Sequence, residues 1–478
     1  MRSIAVTRTP SAATTRGIPE PGPRPLSGRL AGMSLPRQVM VLSVWPLLEQ
    51  YLSFLVGMVD IVLAARLEPE AVGIAATDAL GIAGYVMWLM GMLLGAVGIG
   101  AAALVSRAVG SGRQRLANAA TGQAVLLAVL MGLLITVGLV WFAEPIGALA
   151  GLDDEAGALA TRYLQIVGFS AVANGLLFMG AACLRAAGDA RTPFVVMVVV
   201  NVVNIVTSVL FVLGPEPLGG WGVTGIAAGT ALAWFVGALI TLWVLIGGRS
   251  GIALTWFWLR PHWHTTKRIV RVGIPQLLES LGIWAGNFAV LALIGRLAGE
   301  GLIGAHMIAV RIESLSFLGG FAVAQAASTL MGQYLGARDP RRAGITTLAC
   351  TGIAVVIMGV FGVAFIVFPE FLTSIVSNKE AHLAVTPELL WICGWVQPFF
   401  AISIVMSSAL RGAGDTKVTM WLSFVSLFAI RLPLVVFFGW YMEWGLVGVW
   451  YGLTGEWLIR ASLFMGRFLQ GGWQRVEV

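Results

Sequence analysis

Charge is scarce in this chain. Asp, Glu, Lys and Arg make up 11% of its 478 residues, where a water-soluble domain carries roughly 25%. A soluble globular domain and a polar disordered chain are both excluded. Cysteine is equally thin. Cys183, Cys350 and Cys393 all lie in apolar stretches, with neither a disulfide framework nor metal-ligand spacing. Lysine occurs only at Lys267, Lys379 and Lys417, never after Gly. A Walker A loop needs Gly-Lys, which argues against an ATP-driven pump. No Asp-Asp-x-x-Asp run lies in an apolar segment or a basic loop, which argues against a membrane-embedded transferase holding a metal-bound phosphate. Asp153-Asp154-Glu155 reads as a solvated cap. Residues 1–35 lack an apolar core and a cleavage pattern, and read as a flexible basic tail. The sequence therefore predicts neither an enzyme nor a resident cofactor.

What is abundant is apolar length. Hydrophobic residues reach 58%, mean hydropathy is +0.88, and there are 60 glycines. A spanning helix needs about 20 apolar residues. Twelve segments qualify, at 38–65, 74–105, 117–142, 160–184, 192–213, 223–247, 269–294, 303–333, 343–368, 387–410, 418–440 and 445–467. The predicted fold is an all-α membrane protein of twelve transmembrane helices, built as two six-helix repeats. Basic residues set its orientation. The tail, the even-numbered connections and the end of the chain carry nearly all of them, whereas only Arg66, Arg162, Arg296 and Lys379 fall on the other side. Both termini are expected in the cytoplasm, and the net charge of +7 reflects inside-facing loops rather than nucleic acid. The predicted organisation is a tail (1–37), a six-helix lobe (38–248), a cytoplasmic connector (249–268), a second lobe (269–467) and a short cytoplasmic tail (468–478). "RPHWH" (260–264) is an inner-leaflet anchor rather than a metal site.

Three stretches recur in order. "PLLEQYLSFLVGMVDIVLAARL" from Pro46 matches "PQLLESLGIWAGNFAVLALIGRL" from Pro275. "LRAAGDARTP" (184–193) matches "LRGAGDTKVT" (410–419), and "WGVTGIAAG" (221–229) matches "WGLVGVWYG" (444–452). Six spans per half is an even number, so the halves face the same way and a pseudo-two-fold runs along the membrane normal. In the repeated loop, Arg185 and Arg411 suit a helix C-terminus. Gly188 and Gly414 permit a left-handed turn, and Asp189 and Asp415 can cap the next helix. These six residues read as structural, with pairing across the halves as the alternative.

Carboxylates inside the spans cost roughly 2.5–3.5 kcal/mol each near the bilayer centre, so they must pair, face a polar cavity or titrate. Glu49 and Glu279 occupy matching places in the repeat. They lie roughly 18 Å and 12 Å along their helices from Arg37 and Arg271. Burial disfavours a charged carboxylate, so both are candidates to take up a proton or ion, or to neutralise a cationic cargo; hydrogen bonding between helices is the other reading. Asp60 stands near the outer end of the first span. Glu456 and Arg460 are spaced to pair along one helix. Glu313 lies two residues from Arg311, on a different face, with its role open. Asp78 and Glu388 are expected as caps at segment starts, and His306 as a packed, hydrogen-bonded histidine.

The whole stretch 38–467 resembles the multidrug and toxic compound extrusion (MATE) family. The likeness is carried by Val59-Asp60, the two Arg-x-x-Gly-Asp loops, Asn204, "RLPLVVFFGW" (431–440), "GAHMIAVRIESLSF" (304–317) and "MGQYLGARDP" (331–340). It implies cation-coupled antiport of drug-like, often cationic compounds by two lobes around a cavity. It also implies an ion site at Asp60 with Asn204 as a neutral oxygen ligand, for H+ or for Na+. Two departures stand out. Ser208 replaces an acid that commonly follows the helix-5 Asn by four positions, and Phe400 replaces a helix-10 Asp found in another subgroup. A lipid or lipid-linked saccharide flippase of the wider superfamily is the alternative, but it needs a cationic cavity, and the deep groups here are mainly acidic. The expected setting is a bacterial inner membrane, as a monomer among lipids.

Overall fold

The computed structural model describes residues 22–149, 154–297, 301–377 and 379–476. Asp153 and the first 21 residues of the predicted tail lie outside them. Every predicted segment is helical: α1 (Leu35–Ala65), α2 (Glu70–Gly110), α3 (Gln114–Leu149), α4 (Asp154–Phe169), α5 (Ala171–Ala186), α6 (Arg191–Leu213), α7 (Gly222–Gly247), α8 (Trp263–Ile294), α9 (Leu302–Gly336), α10 (Pro340–Val367), α11 (Pro369–Val376), α12 (Glu380–Gly412), α13 (Thr416–Phe424), α14 (Leu432–Val436) and α15 (Gly445–Leu469). No strand occurs among the described residues.

Ten helices are long and apolar enough to cross a membrane, counting Thr416–Tyr441 as one. The fourth span is broken. α4 and α5 meet at a 55° bend around Ser170, whose hydroxyl donates to the Val167 carbonyl at 2.8 Å. A Ser inserted beside Gly168 is a recognised cause of a kink, and the pair supplies one more span. α15 carries Glu456, Arg460 and Arg467 and is too charged for a composition count, yet its 25 residues are long enough to cross. Outward faces are greasy, as lipid requires: Leu134, Val137, Trp141, Val356 and Val360 are all exposed.

Helix ends follow local chemistry. Pro occupies the first turn of α1 and α10, where its missing N–H costs nothing. Asp339 accepts from the Arg342 amide at 2.9 Å and caps α10. Gly188 (φ +93°) and Gly414 (φ +85°) take the left-handed turn that the repeat predicts. Asp189 caps α6 by accepting from the Thr192 amide at 3.1 Å. Asp415 differs: it makes no cap, and instead accepts from Arg467 at 2.9 Å and 2.8 Å. Asp78 and Glu388 do not sit at helix starts as expected. α2 and α12 begin two turns earlier, and both side chains are exposed.

Helices α1–α7 pack mainly among themselves, as do α8–α15, and the two sets meet along α1–α9, α2–α9 and α2–α8. On the face that carries both described chain ends, this seam obeys the repeat. The Arg107 guanidinium donates to the Ala413 carbonyl at 2.8 Å, and the Gln333 amide donates to the Ala186 carbonyl at 2.9 Å. Each half thus reads a carbonyl in the repeated loop of the other. Glycine makes the approach possible. A Cβ on Gly110 would overlap the Gln333 carbonyl oxygen, and one on Gly336 would overlap that of Arg107. Small residues allow such backbone contact between membrane helices. Toward the other face α2 is far less buried, with Tyr85 and Trp88 exposed. Gly336→Val is therefore expected to keep the seam from closing while each half stays folded. Thiol labelling of Ser106→Cys, buried in the seam, checks this: slow in the parent chain and fast when Gly336→Val is added.

Candidate functional site

Intramembrane carboxylates sort into paired and unpaired. Glu49 on α1 meets Arg185 on α5, both of its oxygens 3.1 Å from Nη1. Glu279 on α8 meets Arg411 on α12 at 3.2 Å, and it accepts from Ser423 at 2.7 Å. The repeat thus places two equivalent ion pairs, each inside its own half. In this structure the seam is bridged instead through loop carbonyls, those of Ala186 and Ala413. Glu279 is 1% exposed, and its second oxygen is buried without a partner.

Glu456 pairs with Arg460 as the spacing predicts, at 3.6 Å, but Arg431 is its closer partner at 2.8 Å. Ser426 also donates to it. Arg431 reaches Asn287 at 3.0 Å as well, and both arginines lie over the Trp457 ring, 5.2 Å and 5.3 Å from its centroid. The Arg431 partnership was not legible, because the residue sits at the end of a π-helical turn, Val425–Arg431, which shifts the facing of everything after it.

Besides the exposed Asp78 and Glu388, two carboxylates inside the spans have no ion pair among the described residues. Glu313 on α9 accepts from the Cys393 thiol at 3.2 Å and the Gln397 amide at 3.3 Å. Arg311, two residues earlier, points elsewhere and stacks on Phe54 of α1 at 4.6 Å, as the different faces predict. Asp60 on α1 is the other. One of its oxygens is buried with no hydrogen-bond partner. It lies in the neighbourhood of Tyr163 of α4. Thr230 of α7 accepts from the Asn204 amide at 3.0 Å. The Asn204 carbonyl oxygen and the Ser208 hydroxyl are buried and unpartnered too. Neutral oxygens beside one carboxylate suit a hard monovalent cation. No cluster of three or more His, Cys, Asp or Glu occurs among the described residues. His306 is packed as expected, accepting from Trp450 at 3.2 Å.

A family model described as MatE matches residues 47–210 and again residues 275–437. The chain belongs to the MatE family. As a MatE protein it is a multi-pass membrane transporter and not an enzyme. The two matches coincide with the two sequence repeats. Among its relatives, "Probable multidrug resistance protein NorM" of Thermotoga maritima is 28% identical over 430 residues, covering 90% of this chain and 91% of that one. "Multidrug resistance protein PmpM" of Pseudomonas aeruginosa is 26% identical, covering 90% of each. The fold matches a solved MATE transporter in its bent conformation with a TM-score of 0.85 at 21% identity, over 93% of this chain and 97% of that one. Twelve helices in two repeats is the architecture that this MatE chain shares.

The ion pairs carry a measurable consequence. Arg411→Met leaves the Glu279 charge buried and alone, and is expected to cost roughly 3–5 kcal/mol. The double variant Glu279→Leu/Arg411→Met removes both charges and is expected to recover most of that loss. Thermal unfolding in detergent, comparing the two variants, reads the difference.

Proposed function

We propose that this MatE transporter expels amphipathic organic cations across a bacterial cytoplasmic membrane, driven by H+ or Na+ entering in exchange. The observation that carries the reading is the trio of unpartnered buried oxygens at Asp60, Asn204 and Ser208 in the first half. A polar group left unpaired away from water costs on the order of 1–3 kcal/mol. A site that keeps three gains by taking up an arriving ion. Glu313, also without a cation, supplies an acidic group from the second half for a positively charged cargo.

Alternating access needs two closures around one cavity, and ion and cargo must favour different ones. In this structure the basic face is shut. Binding of the ion at Asp60 would favour the state in which cargo is held weakly and leaves outward. Glu49 and Glu279, already neutralised by Arg185 and Arg411, serve in this reading as fixed posts for the loops that form the seam. The relatives named as multidrug resistance proteins fit drug-like cargo. A pyrophosphate-carrying flippase is the weaker alternative, since Arg185, Arg411, Arg431 and Arg460 are all engaged by carboxylates. The predicted orientation, with both ends cytoplasmic, and a monomeric state belong to the same proposal.

Vesicles loaded with ethidium and given either a proton or a sodium gradient test it. Wild-type protein is expected to drive efflux with one gradient and not the other. Asp60→Asn is expected to lower that rate by about tenfold or more, as loss of a group required for coupling should. Equal gradient-driven efflux by wild type and Asp60→Asn overturns the assignment.

A further inference from the structure

Residues 22–34 lie outside every spanning helix and yet are not loose. The backbone amide of Arg24 donates to the Ala337 carbonyl at 2.9 Å, at the end of α9. Pro23 borders a shallow groove with Pro340 and Ile345 of α10. A few residues on, the segment has crossed to the other half. Ser27 donates to the Val109 carbonyl near the end of α2, and Arg29 forms an ion pair with Asp189 in the repeated loop. Between these anchors Leu30 is fully buried. It packs into the core that holds Leu330, Met331 and Tyr334 of α9, and touches the place where a Cβ on Gly188 would sit. Gln38 closes the arrangement: it donates to the carbonyls of Leu30 and Met33 at 3.3 Å and 3.0 Å, and accepts from Tyr334 at 2.8 Å.

We propose that residues 23–34 are a strap that bridges the two halves across the closed basic face and holds that face shut. The argument is geometric. The carbonyls bound by Arg24 and Ser27 belong to α9 and α2, the two helices whose ends must part if the seam opens. A short chain fixed to both cannot follow both. Opening therefore requires it to release one anchor, and the burial of Leu30 and the Arg29–Asp189 pair are lost only in the open state. The strap adds stability to one closure and none to the other, which is what shifts a two-state equilibrium. It acts without touching the cavity, so it sets how long the transporter waits with its basic face closed rather than what it carries.

The inference rests on the alternating-access reading above, and one measurement separates the two. Spin labels at Arg115→Cys on α3 and Leu348→Cys on α10, both exposed, report the width of the basic face; the three native cysteines are buried and stay unlabelled. The parent chain is expected to give a dominant short distance and a minor long one. Arg29→Ala/Leu30→Ser is expected to raise the long population about tenfold, equivalent to ~1.4 kcal/mol. Arg29→Ala alone, on a side chain 46% exposed, leaves the core intact and is expected to give a smaller rise. It decides the matter if the double variant fails to fold. Two populations in the parent with an unchanged ratio in Arg29→Ala overturn the strap and leave alternating access standing. A single distance in every protein, whatever the gradient or cargo, overturns both.

Discussion

A helix in hydrocarbon satisfies its own backbone, but nothing in the lipid satisfies a charged side chain. The arrangement of this MatE protein depends on how that single demand is met. Three carboxylates are neutralised inside their own half: Glu49 by Arg185, Glu279 by Arg411, and Glu456 by Arg431 and Arg460. Two have no ion pair among the described residues: Asp60, with one buried oxygen unpartnered, and Glu313, which accepts from the neutral Cys393 and Gln397 side chains. A paired group is fixed, because removing its partner leaves an uncompensated charge. An unpaired one is free to exchange its counter-ion with the outside. The division between scaffold and mobile chemistry follows from that difference.

The scaffold pairs also connect distant parts. Arg185 and Arg411 end the helices that lead into the repeated loops, and Glu49 and Glu279 hold those ends against α1 and α8. The carbonyls of Ala186 and Ala413, one and two residues further along, are the ones that Gln333 and Arg107 bind across the seam. An ion pair within one half thereby positions the acceptor that the other half uses for closure. α1 carries Glu49 and, roughly 16 Å further along, Asp60. It also donates the Tyr51 hydroxyl to the Leu315 carbonyl of α9 at 2.8 Å. One helix thus carries Asp60 of the proposed ion site, the Glu49 ion pair and a contact with the opposite half.

Much of this architecture was legible because it rests on length and repetition. The twelve segments, the two like-facing halves and the left-handed glycines at Gly188 and Gly414 follow from apolar runs and three matched motifs. Lateral partners were not legible. Nothing in the sequence says that Arg185 reaches Glu49, 136 residues away, because spacing reports only the face of one helix. The break at Ser170 was hidden in a run that is apolar throughout. Asp415 resembles Asp189 in sequence, yet Arg467 claims it, since the second half brings α15 close to that loop. The tail is the clearest correction. Composition rich in Pro, Ser, Thr and Arg, with no apolar run, reads as flexible across residues 1–35, but a single buried leucine, Leu30, with a few backbone contacts holds the part from Gly22 onward.

The second half departs from the first where the ion site would be repeated. Asn204 follows Arg185 at nearly the distance that Arg431 follows Arg411, and Arg431 lies one residue further on. The π turn at Val425–Arg431 absorbs one residue, since such a turn is an insertion in an α-helix. Both side chains therefore point into their own bundle and meet the last helix of their half: Asn204 meets Thr230 on α7, and Arg431 meets Glu456 on α15. In the first half the position ends in a neutral amide whose oxygen has no partner. In the second it ends in a guanidinium fixed to a carboxylate. A tethered cation cannot be exchanged across a membrane, whereas a vacant set of oxygens can take one up and let it go. The same fold position thus holds a paired cation in one half and an unpartnered amide oxygen in the other, an asymmetry that the proposed coupling through Asp60 uses.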